Sequence, residues 1–183
     1  GLQAPKTWQE LLAVAEKLTQ DTDGDGQIDQ YGFAFPARRG ANLPLAWIPF
    51  LFSAGGQVFD NDFNPVFNSE AGIKAVDLLL ELKKFGPPDI NNYGEYEVIQ
   101  ATRNGVVAMG VSASSITPEV EEVSSSVRGK IKTTMFPIAA PEIERSNTAI
   151  LGGWALGISE YSRNKAAAAC TVMWLTSPEI VTE

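Results

Sequence analysis

Apolar residues first recur at helical spacing between Trp8 and Leu18, where Trp8, Leu11, Ala15 and Leu18 share one face. Thr7 and Glu10 form a capping box just ahead of that face, so a helix with these four residues inward is predicted. "YGFAFP" then reads as a strand, Tyr31 to Phe35, closed by Pro36. A helix is expected through Leu45 to Ser53, stopped by Gly55 and Gly56. "QVFDNDFNPVFN" suggests two short strands around an Asn-Asp turn. Asn68 is the expected cap of a helix over Glu70 to Lys84, with Ile73, Val76, Leu79, Leu80 and Leu82 inward and Pro87 and Pro88 beyond its end. Glu95 to Arg103 reads as helix, and "GVVAMGVS" as a buried strand. A short acidic helix starts at Thr117-Pro118-Glu119. "KIKTTMFPIA" and "AILGGWALGIS" are strand-like, the second interrupted by Gly152 and Gly153. Ser162 is the expected cap of a helix over Arg163 to Leu175, and Ser177-Pro178 opens a further one. Intermixed helices and strands predict an α/β class with a small sheet.

Composition narrows the chemistry. The chain has 183 residues, enough for one full core, and a net charge of −8 with no Lys/Arg cluster, which argues against nucleic acid and anionic lipid. Histidine is absent and Cys170 is the single cysteine. That removes nearly every zinc site, any Ser-His-Asp triad and any internal disulfide, and tilts the reading towards binding rather than catalysis. Both ends have the look of an excised piece of a longer chain, since "GLQAPKTW" approaches a helix and "WLTSPEIVTE" stops inside one.

"DTDGDGQID" invites comparison with an EF-hand loop. Asp21, Asp23 and Asp25 take positions 1, 3 and 5, Gly26 position 6, Gln27 position 7 and Asp29 position 9. Position 12, normally a bidentate glutamate, is Gly32, and a strand follows in place of a helix. Two readings stand: a weak structural Ca²⁺ site on Asp21, Asp23, Asp25, Gln27 and Asp29, or a solvated turn in which Asp and Gly serve local hydrogen bonding and positive φ. No other cofactor is called for.

The order of segments is more specific. "PKTWQELLAVAEKLTQDTDGDGQIDQYGFAF" resembles the start of the C-terminal lobe of extracellular solute-binding proteins of ABC importers, of the family-1, sugar-binding type. "SAGGQVFDNDFNPVFNSEAGIKAVDLLLELKKFG" resembles the segment that follows there, and "TRNGVVAM" that family's "F-x-x-G-x-A-A-M". "LGGWALGISEYSRNKAAAACTVMWLTSPE" is similar to its "GGW-x-x-x-I" and "W-L-T-S-P-E" stretches. The resemblance covers essentially the whole chain. It implies one lobe of a type II periplasmic-binding-protein fold, with a small mixed sheet flanked by helices. Residues 1–183 would form a single C-terminal lobe, the N-terminal lobe and the last helices lying outside. It also implies a small polar solute, chiefly a sugar, bound by hinge closure without catalysis. The partners would be ABC importer membrane subunits, the protein a monomer, and its location periplasmic or extracellular, free or lipid-anchored. The aspartate loop would lie away from the ligand.

Sugars are held by aromatic faces and planar polar groups. Trp154, behind Gly152 and Gly153, resembles the family's cleft-facing tryptophan; its alternative is a core position. Ser112, Ser114 and Ser115 follow an expected strand at its carboxyl end, where open α/β sheets place ligands. Relatives often carry an aromatic there, and its absence argues against a long oligosaccharide. Trp47 is a candidate for cleft or core. Arg38, Arg39 and Asn42 follow a strand, with Arg38 able to grip a hydroxyl or an anion. Tyr93 and Tyr96 are further candidates. Trp8 and Trp174 read as packing, and Cys170 as a small buried side chain. Two competing readings are a carboxylate-based carbohydrate-active enzyme, on Asp60/Asp62 or Glu95/Glu97, and a calcium-dependent structural module. Both carboxylate pairs read as turn or helix-surface charges.

Overall fold

The structure is a computed structural model describing residues 2–113, 117–143, 149–150, 152 and 155–181. The chain divides into two compact units, Gly1–Ile150 and Leu151–Glu183.

In the first unit, α1 runs Trp8–Leu18 behind the expected capping box: Thr7 Oγ1 accepts from Glu10 N, and Glu10 returns the bond to the Thr7 backbone. Trp8, Leu11 and Ala15 are buried as predicted, and Leu18 is half-buried. Helix α2, Asn42–Ser53, starts earlier than expected, because Pro44 sits in its first turn, where no amide hydrogen is needed. Ser53, at its end, is fully buried and accepts the Trp8 indole N–H at 3.0 Å while donating to Phe50 O at 2.9 Å. The Trp8 ring meets Phe50 edge-on at 6.1 Å, which meets Phe136 at 4.6 Å. This aromatic stack joins α1 to α2 and forms the centre of the core.

Helix α3 spans Glu70–Lys83, capped by Ser69 rather than Asn68. Its buried face is Gly72, Ala75, Leu78, Leu79 and Leu82. Ile73, Val76 and Leu80, expected inward, are exposed. Size decides between the two stripes. A Cβ at Gly72 would collide with the Phe67 carbonyl, so only the face carrying glycine and alanine can approach its neighbours this closely. A 3₁₀ turn, Ile90–Asn92, leads into α4, Glu95–Arg103, and α5 follows at Thr117–Val120.

The sheet is reduced to single bridges among the described residues. Tyr31 pairs with Val107 and Ala34 with Gly110, both parallel, and Thr7 pairs with Ile138, also parallel. Tyr31 bonds to Val106 O and through its carbonyl to Ala108 N, whereas Ala34 bonds to Met109 O and Val111 N. A regular ladder would use Phe33 next; instead Phe33 N turns to Phe85 O. Each segment therefore turns over by one residue between bridges, and no continuous strand forms. Phe59 and Pro65 make the expected antiparallel pair around the 61–62 turn. Gly32 lies against α1: a Cβ there would run into the Ala15 carbonyl, and Thr19 Oγ1 accepts its N–H at 3.0 Å.

In the second unit, α6 spans Lys165–Leu175 and α7 Pro178–Val181. The expected start at Arg163 is two residues early; Ser162 Oγ accepts from Asn164 N instead. Trp174 is 60% exposed and Cys170 is exposed, correcting both to surface positions. Helix α6 carries apolar side chains around most of its circumference, with Ala166 to Cys170 in one run, so its pattern singles out no face for burial. Among the described residues of 149–159 there is no strand. No helix among the described residues is long and apolar enough to cross a membrane.

Candidate functional site

Because the two bridges of 31–34 with 107–110 are parallel, both segments end on the same edge. Pro36 to Arg38 leaves one end and Ser112 to Ala113 leaves the other, and the first turn of α4 lies beside both. Arg38 N donates to Tyr93 O at 2.8 Å, fixing the first exit to the approach of α4. Arg38 Nη1 reaches Glu97 Oε1 at 3.3 Å, with side chains 54% and 38% exposed. Glu97 Oε2 accepts from Gly94 N at 2.7 Å, so this glutamate also caps its own helix. Its own N–H and that of Gly94, then Arg38, hold its carboxyl below the usual carboxylate value. The guanidinium lies against Gly94, where a Cβ would strike it. From the other exit, Ser112 Oγ donates to Glu95 Oε1 at 3.4 Å and Ala113 N donates to the same oxygen at 3.2 Å. Three segments thus converge on one polar edge carrying a guanidinium, two carboxylates and a hydroxyl. Tyr93 is half-buried beside it; burial, then the charge of Asp89, pushes its hydroxyl pKa up, so it stays a neutral phenol.

Sequence reasoning named Arg38 and Ser112 for this edge but read Glu95 and Glu97 as helix-surface charges. The missed signal is Glu97 three residues after Gly94: its carboxylate accepts the Gly94 N–H and is held where Arg38 arrives. Ser114, Ser115, Gly153 and Trp154 lie outside the described residues. Gly152 is described and exposed, and a Cβ there would meet nothing within 4 Å among the described residues. Trp47 is half-buried between α2 and α3: its indole N–H donates to Gly72 O at 3.3 Å and its ring meets Phe67 edge-on at 6.1 Å. Arg39 and Tyr96 are exposed. Asp60 accepts from Asp62 N, Asn64 N and Asn64 Nδ2, at 2.9, 2.8 and 3.0 Å, and those bonds to Asn64 lower its carboxyl pKa: it is a turn residue.

Beside Ser112 opens a cavity of about 360 Å³, lined by apolar residues such as Phe33, Phe50 and Met109 and by polar ones such as Thr102, Glu121 and Lys130.

The aspartate loop is built differently. Asp21 accepts from Gly24 N and Gly26 N at 2.6 and 2.8 Å, and Asp29 from Thr22 N and Oγ1 at 2.7 Å each. Those Thr22 bonds hold the Asp29 carboxyl below its ordinary value. Gly24 and Gly26 take φ of +81° and +89°, the left-handed turn expected of them. Carboxylate oxygens of Asp21, Asp23 and Asp29 lie within 4.8 Å of one another, an arrangement common among exposed acidic groups that hold no ion. Asp25 stands outside that group and binds Gln27 N and Nε2 at 2.8 and 3.1 Å.

Comparison with known proteins gives this edge its context. A probable amino-acid ABC transporter periplasmic-binding protein of Sinorhizobium fredii is 33% identical over 97% of the chain, and the chain covers 38% of it. The mannitol-binding protein of Pseudomonas aeruginosa is 32% identical over 97% of the chain, with 40% of its own length covered. Among solved structures, an ABC transporter solute-binding protein from Agrobacterium radiobacter in complex with ribitol superposes with a TM-score of 0.85 at 28% identity, over 100% of this chain and 45% of that one. The chain therefore spans less than half the length of these relatives. That likeness gives it the α/β fold of periplasmic binding proteins. Residues 1–182 match the family described as bacterial extracellular solute-binding protein, and the chain belongs to that family.

Proposed function

We propose that the chain is part of the solute-binding component of an ABC importer, and that it takes a sugar or related small polar solute without chemical turnover. The observation that carries this reading is the convergence of Arg38, Glu95, Glu97 and Ser112 at the shared end of two parallel-paired segments. Such an edge offers fixed donors and acceptors on rigid elements, the form that hydroxyl recognition needs. Residues 1–150 supply part of one wall of a cleft, and segments of the full-length protein outside this chain supply the other. Binding favours the closed state by differential affinity, and the closed state is what an importer's membrane subunits engage. By resemblance alone, Trp154 has the role of an aromatic platform for a sugar ring. Relatives and structural neighbours named for mannitol and ribitol support the solute class.

The test is a thermal-shift screen of the full-length protein against polyols, monosaccharides, disaccharides and amino acids. A stabilising polyol or sugar raises the melting temperature with concentration as mass action requires. A stabilising response confined to amino acids would refute the sugar reading.

A further inference from the structure

We propose that Glu95 and Glu97 set the charge selectivity of this edge: Glu97 engages Arg38 and both carboxylates reject anionic solutes, so that the site takes neutral polyhydroxyl compounds. The inference rests on the solute-binding reading above and adds to it the feature that discriminates among solutes.

An exposed arginine at the exit of a strand is ordinarily a clamp for a carboxylate or phosphate, because its planar fork matches their geometry. Here one arm of the fork is engaged. Glu97 holds Nη1, and Glu97 is itself fixed by the Gly94 N–H on its other oxygen. Releasing Arg38 to an anion would leave Glu97 in place, since the helix cap retains it. Its carboxyl is held below the usual range by those N–H groups, so it stays charged at neutral pH. An incoming carboxylate therefore meets one guanidinium already paired and two fixed negative charges within one helical turn. Like charges at that range oppose binding, most strongly once closure excludes water.

Glu95 has a complementary part. Both of its hydrogen bonds, from Ser112 Oγ and Ala113 N, land on Oε1, and Oε2 carries none among the described residues. An ionised carboxylate oxygen accepts and cannot donate. It suits a hydroxyl, which donates, and excludes another carboxylate. Ser112 Oγ, spending its proton on Glu95, presents lone pairs to a second hydroxyl. A polyol, whose every oxygen both donates and accepts, satisfies the set. Its aldonic acid, the same carbon chain with a terminal carboxylate, does not.

That pair of compounds supplies the experiment. Isothermal titration on the full-length protein would compare ribitol with D-ribonate and D-mannitol with D-mannonate, for the wild type and for Glu95→Gln and Glu97→Gln. Glutamine at 97 still accepts from Gly94 N, so the cap survives. The wild type is expected to bind at least one polyol and to bind its aldonate at least about tenfold more weakly, a gap of about 1.4 kcal/mol. Glu97→Gln is expected to close that gap by about tenfold by freeing Arg38, mainly through tighter aldonate binding, with Glu95→Gln closing it less. Equal wild-type affinity for polyol and aldonate, or a gap unchanged in both folded variants, would overturn the inference and leave the importer reading standing. Tighter binding of an amine analogue such as D-glucamine than of the polyol would overturn it in favour of a cationic solute. Failure of any polyol or sugar to bind the wild type would remove both readings together.

Discussion

The aspartate loop and the edge at α4 are both clusters of exposed carboxylates, and they differ in where their partners come from. In the loop, every recorded side-chain bond of Asp21, Asp23, Asp25 and Asp29 closes within seven residues. At the edge, Glu95 is reached from 17 and 18 residues away and Glu97 from 59. Local closure is what a turn needs to hold itself; the N–H groups freed by two left-handed glycines find acceptors at once. Long-range convergence requires the fold to be complete first, and it leaves charged groups on a surface that the fold alone does not require. The more conspicuous motif in the sequence is thus the one that closes on itself, and the less conspicuous is the one proposed above to meet the solute.

Substitutions can break this contrast. The largest effect is expected at Gly32, where the loop returns to the core. Gly32→Ala drives a Cβ into the Ala15 backbone, which is not free to move, and should lower stability by about 3 kcal/mol in chemical denaturation. Next comes Gly94→Ala on the full-length protein. Its Cβ displaces a flexible guanidinium, so stability should fall by under about 1 kcal/mol while polyol affinity falls severalfold or more. Asp21→Ala removes two bonds to exposed amides and should cost about 1 kcal/mol with solute affinity unchanged. The smallest effect is one of pH. Asp29 and Glu97 have folded-state values below their ordinary 3.8 and 4.5. Their contribution is present above those ordinary values and is lost as pH falls through the lower folded ones. Asp29→Asn should flatten the acid limb of the melting-temperature profile slightly below pH about 4, and a steeper limb in that variant would contradict the assignment.

The same distinction explains what the sequence made legible. Helix α1 could be read in full because Thr7, Trp8, Glu10, Leu11 and Ala15 carry cap and face within one short window. Helix α4 keeps the bounds expected for it, Glu95 to Arg103, although the Gly94–Glu97 bond at its start is not part of that expectation. The buried face of α3 was not legible from hydropathy. Ile73, Val76 and Leu80 are as apolar as the face that is buried, and the choice was made by Gly72 fitting against Phe67, a contact between segments. Trp174 reads as packing from its helical position and Cys170 from its alanine-rich surroundings, yet a helix apolar around most of its circumference gives no direction to its burial. At the edge, Arg38 and Ser112 were visible as residues leaving expected strands. Their meeting with Glu97 and Glu95 depends on the parallel register of 31–34 with 107–110, which no local pattern encodes.

The proposed binding mode requires that the α4 edge meet the solute and the aspartate loop stay clear of it. Titration of full-length wild type, Glu95→Ala/Ser112→Ala and Asp21→Ala with the best-bound polyol tests it most directly. The account predicts at least about a tenfold loss of affinity in the edge variant and no change in the loop variant. Full affinity in a folded edge variant, or loss confined to Asp21→Ala, would contradict it.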